Sequence, residues 1–133
     1  MHAKLSQIIS DIDVQHQHLL QLVNDLEVCD HVHVVPLLEE LTTLVDDHFL
    51  RETRPGGLYE AVGAKTGENQ SEVERLEQEH ILISSACRGI LARAHLGAED
   101  SEPVLLKELK GVMRCLSDHE KREGIMVNRL LNA

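Results

Sequence analysis

The chain has 133 residues, of which 42% are hydrophobic, and this size and composition predict one globular domain spanning residues 1–133. The composition is too apolar for a disordered chain, and no apolar run approaches the roughly 20 residues of a membrane span. With 23 acidic and 13 basic residues, the formal net charge of −10 argues against nucleic acid and anionic lipid as partners. We therefore expect a soluble, cytoplasmic protein that binds neither nucleic acid nor membrane.

Histidine is the outlier of the composition. The chain contains nine histidines but only one phenylalanine, one tyrosine and no tryptophan. The three cysteines are widely spaced and form no CxxC pair, so neither a disulfide framework nor a cysteine zinc site is expected. The abundance of imidazole groups therefore needs an explanation in their chemistry.

Apolar residues recur at three- and four-residue steps along the whole chain, which is typical of amphipathic helices. A first helix is predicted from Leu5 to Leu26, and the period is interrupted over residues 29–35. Pro36 suits the first turn of a second helix, which continues to about Glu52.

Residues 53–70 hold four of the eight glycines and are predicted to form a long loop with a short helical turn at 58–62. Ser71 and Glu74 match the S-x-x-E capping box, so a third helix is predicted to begin there and to end near Gly97.

Residues 97–103 have the composition of a turn, and Pro103 opens a fourth helix whose apolar face continues to Leu130. Four long amphipathic helices with three connections predict an all-α, up-down-up-down four-helix bundle.

One histidine of each predicted helix falls within the apolar face. These residues are His16, His48, His80 and His119. Glu52 and Glu123 follow His48 and His119 by four residues, which stacks each carboxylate beside an imidazole on the same helix face. Taken singly, each of these residues is more often a core histidine satisfied by a hydrogen bond. Four imidazoles and two carboxylates in one core would be costly to bury, and a bound metal is the usual way to satisfy them.

Imidazole and carboxylate ligands without thiolate suit iron, manganese or zinc. Six ligands exceed what one tetrahedral zinc takes. Two metals with Glu52 and Glu123 as bridging carboxylates are the simplest arrangement, which indicates a di-iron carboxylate centre.

The ordered set H…HxxxE…H…HxxxE resembles the hemerythrin-like (HHE cation-binding) proteins. Its four parts are DVQHQHLL at 13–20, HFLRE at 48–52, EQEH at 77–80 and LSDHEKRE at 116–123. The resemblance implies a hemerythrin-like bundle that holds two iron ions in an oxo- or hydroxo-bridged centre. It aligns the four helix histidines, Glu52 and Glu123 with the iron ligands and places the two glutamates at the bridging positions.

The sequence departs from the oxygen-carrying hemerythrins at two ligand positions. Leu76 stands where those proteins have a further histidine one turn before His80, and residue 124 is glycine where they have an aspartate. The same variant pattern occurs in many bacterial hemerythrin-like proteins and in iron-sensing eukaryotic relatives. The resemblance then implies an open position on both metals, which argues against reversible O₂ carriage.

Two residues are candidates for the missing coordination position. Glu77 lies one turn before His80, and Tyr59 is the only tyrosine and could cover the open end of the bundle. Leu76 and Cys115 are expected to line the core around the site, Cys115 as a small buried thiol. The other five histidines are expected on the surface or in loops: His2, His18, His31, His33 and His95.

We expect a non-haem di-iron protein that binds or reacts with O₂, peroxide or NO, as a sensor of oxygen, redox state or iron or in peroxide detoxification. Two alternatives remain open. Ferritin-like iron oxidation and storage requires Glu-x-x-His pairs, and only Glu77 and His80 have that spacing. The other alternative is a non-catalytic interaction bundle with a structural metal. The sequence leaves open whether the protein is an enzyme and whether it has a protein partner.

Overall fold

The computed structural model describes residues 2–65, 67–97 and 102–132, and it gives only the backbone of residues 2–4, 31 and 102. Most of the turn predicted over residues 97–103, and the side chains of His2 and His31, lie outside the described part. Five α-helices follow in chain order: α1 (His2–Val28), α2 (Val34–Thr53), the single turn α3 (Leu58–Ala61), α4 (Gln70–His95) and α5 (Glu102–Leu131). Short 3₁₀ turns precede α2 and α4, at His31–His33 and Gly67–Asn69.

The four long helices pack as an antiparallel bundle in which α1 contacts α2, α2 contacts α4, α4 contacts α5 and α5 contacts α1. Ion pairs at the two ends of α4 and α5 show that these helices run in opposite directions: Arg129 pairs with Glu72, and Arg93 pairs with Glu108. Rising residue numbers on α4 therefore match falling numbers on α5. The predicted all-α four-helix bundle is confirmed.

The helix boundaries agree with the sequence pattern except at the start of α4. Pro36 lies in the first turn of α2, and α3 occupies the predicted short turn. Gly97 follows the end of α4 with a φ of +73°, a conformation that glycine adopts without steric cost. The capping-box prediction is wrong. The 3₁₀ turn extends to Asn69, α4 begins at Gln70, and no side chain caps it, so Ser71 already lies within the helix.

The buried apolar residues form two clusters. The larger cluster includes Leu19, Val45, Ile83 and Leu116, one from each long helix. The smaller cluster comprises Ile12, Leu58, Tyr59, Ala64, Val73, Leu76, Met126 and Val127. On α1, α4 and α5 the predicted site histidine lies between a residue of one cluster and a residue of the other. The site is therefore a polar layer between two apolar layers.

α3 completes the smaller cluster because α2 ends soon after the polar layer. Gly57, which precedes α3, packs against the C-terminal turn of α2 so closely that a Cβ there would lie 2.5 Å from the carbonyl oxygen of Arg51. This close approach places Leu58 and Tyr59 in the core, where both are buried.

Within the described residues, no helix combines the length and the hydropathy needed to span a bilayer.

Candidate metal centre

The polar layer brings together all six residues predicted as metal ligands. His48, Glu52, His80, His119 and Glu123 are buried, and the side chain of His16 is 26% exposed. Each comes from the inward face of a long helix, as the spacing predicts. A seventh residue, Glu120, joins them.

The first of two ligand groups consists of His16, His48 and Glu120. The Nε2 atoms of His16 and His48 are 3.0 Å apart, and the Glu120 carboxylate lies 2.6 Å from the first and 2.9 Å from the second. Burial acts to raise the pKa of Glu120, but the contacts with both imidazoles outweigh it and lower the pKa to about 2. Glu120 is therefore ionised and offers its oxygens to the group.

The second group consists of Glu52, His80, His119 and Glu123, all buried. The Nε2 atoms of His80 and His119 are 2.9 Å apart. Burial, followed by the neighbouring His119, lowers the pKa of His80 to about 3. His80 is therefore a neutral imidazole at pH 7, the form that binds metal.

Glu52 connects the two groups. Its Oε1 lies 3.1 Å from Nε2 of His80, and its Oε2 lies 3.6 Å from Nε2 of His48. Such a carboxylate is suited to bridging two ions. The carboxylate of Glu123 lies within the second group, where its Oε2 is 3.6 Å from Nε2 of His119.

The ligand distances match those of a shared cation. Two nitrogens bound to one ion at about 2.1 Å lie roughly 3.0–3.4 Å apart for angles from 90° to tetrahedral. The two Nε2–Nε2 distances of 3.0 and 2.9 Å are at the 90° end of that range. Two imidazole lone pairs repel each other at this separation unless a proton or a metal ion lies between them.

Polar neighbours orient two of the imidazoles from behind. His48 Nδ1 donates to Oε1 of Gln15 at 3.0 Å, and Gln15 donates in turn to Asp47. His119 Nδ1 donates to Oε1 of Glu79 at 2.9 Å, and Arg122 holds the other oxygen of Glu79. Since Nδ1 carries the proton in both rings, Nε2 presents its lone pair to the centre. This arrangement is typical of metal-binding histidines.

Glu52 provides the clearest test of whether a metal suits the site. Both of its carboxylate oxygens are buried without a hydrogen-bond donor. Burial, together with the charge of Glu123, raises its pKa well above the usual range. The raised pKa reflects the cost of ionising a buried carboxyl group that has no donors, and a cation bound between the two groups would offset that cost. The donor set of four imidazoles and three carboxylates thus fits a pair of cations.

Tyr59 covers the centre from α3 and is fully buried. Its hydroxyl donates to Oε2 of Glu123 at 2.6 Å and lies 3.2 Å from Nε2 of His80. Burial and the nearby Glu52 and Glu123 carboxylates raise the pKa of Tyr59 well above its usual range, so the phenol keeps its proton. In this structure Tyr59 is a hydrogen-bond donor to a candidate ligand.

Phe49 and His80 of the second group both line the groove between α2 and α4. Its ring stacks on that of His80, with centroids 4.0 Å apart and planes at 7°. The only phenylalanine of the chain thus covers one face of an imidazole of the centre.

The other predicted site residues have mixed outcomes. Leu76 is buried in the smaller apolar cluster with Tyr59, next to the polar layer. Glu77 is half-buried on the wall of the α2–α4 groove and belongs to neither ligand group. The expectation of a buried Cys115 is wrong, because this residue is exposed. Cys115 lines the surface groove between α4 and α5, on the side of α5 that also carries Asp118 and Arg122.

The remaining described histidine side chains are exposed and lie near acidic residues of the surface: His18 by Glu40, His33 by Asp30 and His95 by Glu39.

Sequence reasoning missed Glu120, Gln15 and Glu79. Glu120 directly follows His119, so the pattern of one ligand per turn passes over it. Gln15 precedes His16 and, although polar, is buried on α1. Each of the three directly precedes or follows a site histidine in the sequence, and a polar residue in that position is the signal that could have indicated them.

A family model for the hemerythrin HHE cation binding domain matches residues 7–130. Curated proteins and solved structures contain no significant match to the chain. The matched segment spans nearly the whole chain and includes every residue of both ligand groups. The chain belongs to the hemerythrin HHE cation-binding domain family.

Proposed function

We propose that the two ligand groups hold two iron ions, and that the loaded protein binds or reacts with O₂, peroxide or NO. The observation that carries this proposal is the convergence of four imidazole Nε2 atoms and three carboxylates in two adjoining groups. His16, His48 and Glu120 would hold one ion, and His80, His119 and Glu123 the other. Glu52 would bridge them.

Iron would supply the redox chemistry, whereas the chain supplies the surroundings in which it operates. The two apolar clusters exclude water above and below the polar layer. Gln15 and Glu79 fix the rings of His48 and His119. Tyr59 holds a proton 2.6 Å from Oε2 of Glu123.

A metal analysis tests the proposal directly. Protein from iron-replete cells, and metal-free protein titrated anaerobically with Fe²⁺, should both bind about two irons per chain. The optical spectrum of the iron(II) protein should then change on addition of O₂, H₂O₂ or NO. One zinc and no iron under these conditions would contradict the proposal.

Two substitutions provide the matched comparison. His119→Gln removes an imidazole of the second group and should reduce the iron content to about one per chain or less. His95→Gln makes the same change at an exposed histidine and should leave the content unchanged. Equal loss in both variants would show that iron binds outside the proposed centre.

A further inference from the structure

A cleft of about 300 Å³ lies along the junction of α1 and α5. Three of the proposed ligands line it: His16, Glu120 and Glu123. His16 has a side chain that is 26% exposed, whereas His48 and His119 on the inner side of the layer are fully buried. The cleft therefore connects solvent to the first ligand group.

Two other routes compete with this cleft. A smaller pocket of about 100 Å³ also reaches His16 and Glu120, but the rest of its lining is apolar except for Ser117. The second is a larger groove of about 500 Å³ between α2 and α4. It reaches His80 but no ligand carboxylate, and Phe49, which also lines it, stacks on the His80 ring. An ion in that groove would meet Asp46, Glu77 and Arg88 and then the stacked rings of Phe49 and His80, but no carboxylate of either ligand group. The α1–α5 cleft offers a direct path to both an imidazole and carboxylates.

The charge of the cleft suits a cation. Asp13, Glu120 and Glu123 line it together with a single basic residue, Lys121. Clefts lined by one sign of charge raise the local concentration of the opposite ion and its association rate. The net charge of −10 on the whole chain acts in the same direction and disfavours anions.

Gly124 lies in the wall of this cleft, directly after Glu123. Glycine is among the least favourable residues in a helix interior, and Gly124 is well inside α5. A Cβ at this position would meet nothing within 4 Å, so no close contact requires glycine there. The missing side chain leaves the cleft open beside the ligands.

We propose that the α1–α5 cleft is the passage through which a divalent cation reaches the His16–His48–Glu120 group, and that Gly124 keeps this passage open. This inference rests on the proposed metal binding and adds the path by which the ion enters the site. It assigns Gly124 a role in the rate of metal exchange and none in holding the ion.

The test is the kinetics of Co²⁺ uptake by the metal-free chain and of its release to a chelator. Tyr59 is the only tyrosine and the chain has no tryptophan, so stopped-flow tyrosine fluorescence reports loading at the centre. Gly124→Leu should slow uptake and release by the same factor and leave the dissociation constant and the capacity unchanged. Gly124→Ala should slow both steps less.

Gly89→Leu is the matched control. Gly89 lies in α4 away from the cleft, is exposed, and has nothing within 4 Å of an added Cβ. The substitution raises helix propensity as Gly124→Leu does, but it should leave both rates unchanged. Rates for Gly124→Leu equal to those of the parent chain, or an equal slowing in Gly89→Leu, would overturn the passage.

Reversing the charge of one cleft residue tests whether the negative charge of the cleft speeds metal uptake. Asp13→Lys should slow Co²⁺ uptake by about tenfold at low ionic strength, and the difference should shrink as salt is added. Asp30→Lys changes the net charge equally at an exposed position beyond the end of α1, and it should have little effect. Equal slowing by both substitutions would contradict a local role for the cleft.

The outcomes separate the passage from the metal site itself. Co²⁺ binding by the parent chain with rates that no cleft substitution alters would overturn the passage alone. No Co²⁺ binding by the parent chain would overturn both proposals.

Discussion

Glu120 shows how much one side chain contributes to the centre. Its carboxylate contacts both imidazoles of the first group, at 2.6 and 2.9 Å, and these contacts are strong enough to outweigh its burial. Glu77 lies three residues before His80 in the sequence, but it belongs to neither ligand group. Replacing Glu120 with glutamine should therefore change metal affinity, whereas the same replacement of Glu77 should not.

If the two groups hold metal ions as proposed, we expect Glu120→Gln to weaken binding at the first group by roughly 10- to 100-fold, because an amide oxygen is a poorer ligand than a carboxylate. Glu77→Gln should leave both affinities nearly unchanged. Calorimetric titration of the metal-free variants with Fe²⁺ or Co²⁺ measures both. A larger loss in Glu77→Gln would identify Glu77 as the ligand.

Tyr59→Phe removes one hydroxyl at nearly constant volume and leaves Oε2 of Glu123 without its donor. The metal-free protein should lose about 1–3 kcal/mol of stability, measured by denaturant unfolding. If Tyr59 instead binds the metal as a phenolate, the iron(III) protein will show a visible charge-transfer band that the variant lacks. Unchanged stability together with that band would assign Tyr59 as a ligand.

At the scale of single elements, α3 depends on the close packing of Gly57. A Cβ at residue 57 would lie 2.5 Å from the carbonyl oxygen of Arg51 and 3.0 Å from that of Glu52. Glu52 bridges the two ligand groups, and Tyr59 lies two residues after Gly57. A shift of the backbone at residue 57 would therefore move both Glu52 and Tyr59 within the centre.

Gly57→Ala should cost about 1–3 kcal/mol of stability through overpacking and should also lower metal affinity. Gly56→Ala is the neighbouring control: its φ of +77° makes alanine strained, but nothing lies within 4 Å of the added Cβ. That variant should lose stability while it keeps its metal affinity. Thermal unfolding and metal titration of both variants separate strain in the loop from displacement of Tyr59 and Glu52.

At the scale of the whole molecule, the polar layer lies between the two apolar clusters, so its charges influence the folding of the entire bundle. Both oxygens of the Glu52 carboxyl group are buried with no donor, and its pKa is raised well above the usual range, so a cation would favour its ionised form. A metal that binds only the folded state stabilises it by about 2.7 kcal/mol at a hundred times its dissociation constant. Metal binding and folding are therefore expected to be coupled.

Removal of metal by a chelator should lower the melting temperature and reduce helicity, as measured by calorimetry and circular dichroism. Re-addition of Fe²⁺ or Co²⁺ should restore both. A metal-free form with the same melting temperature as the loaded form would contradict the coupling.

The sequence by itself determined the four long helices, their order and the position of the polar layer. Helical periodicity is a local property, and residues four apart on a helix share a face whatever it packs against. His48 with Glu52, and His119 with Glu123, could therefore be placed together before any fold was known.

The tertiary structure alone decided which neighbours complete the centre. Glu120 lies about 100° around α5 from His119, and it faces His16 only because α5 packs beside α1. Glu79 reaches His119 from another helix in the same way. Tyr59 depends on how Gly57 folds the loop against α2. The contacts of Glu120 and Glu79 join residues far apart in the chain, and a period read along one helix carries no information about the helix across from it.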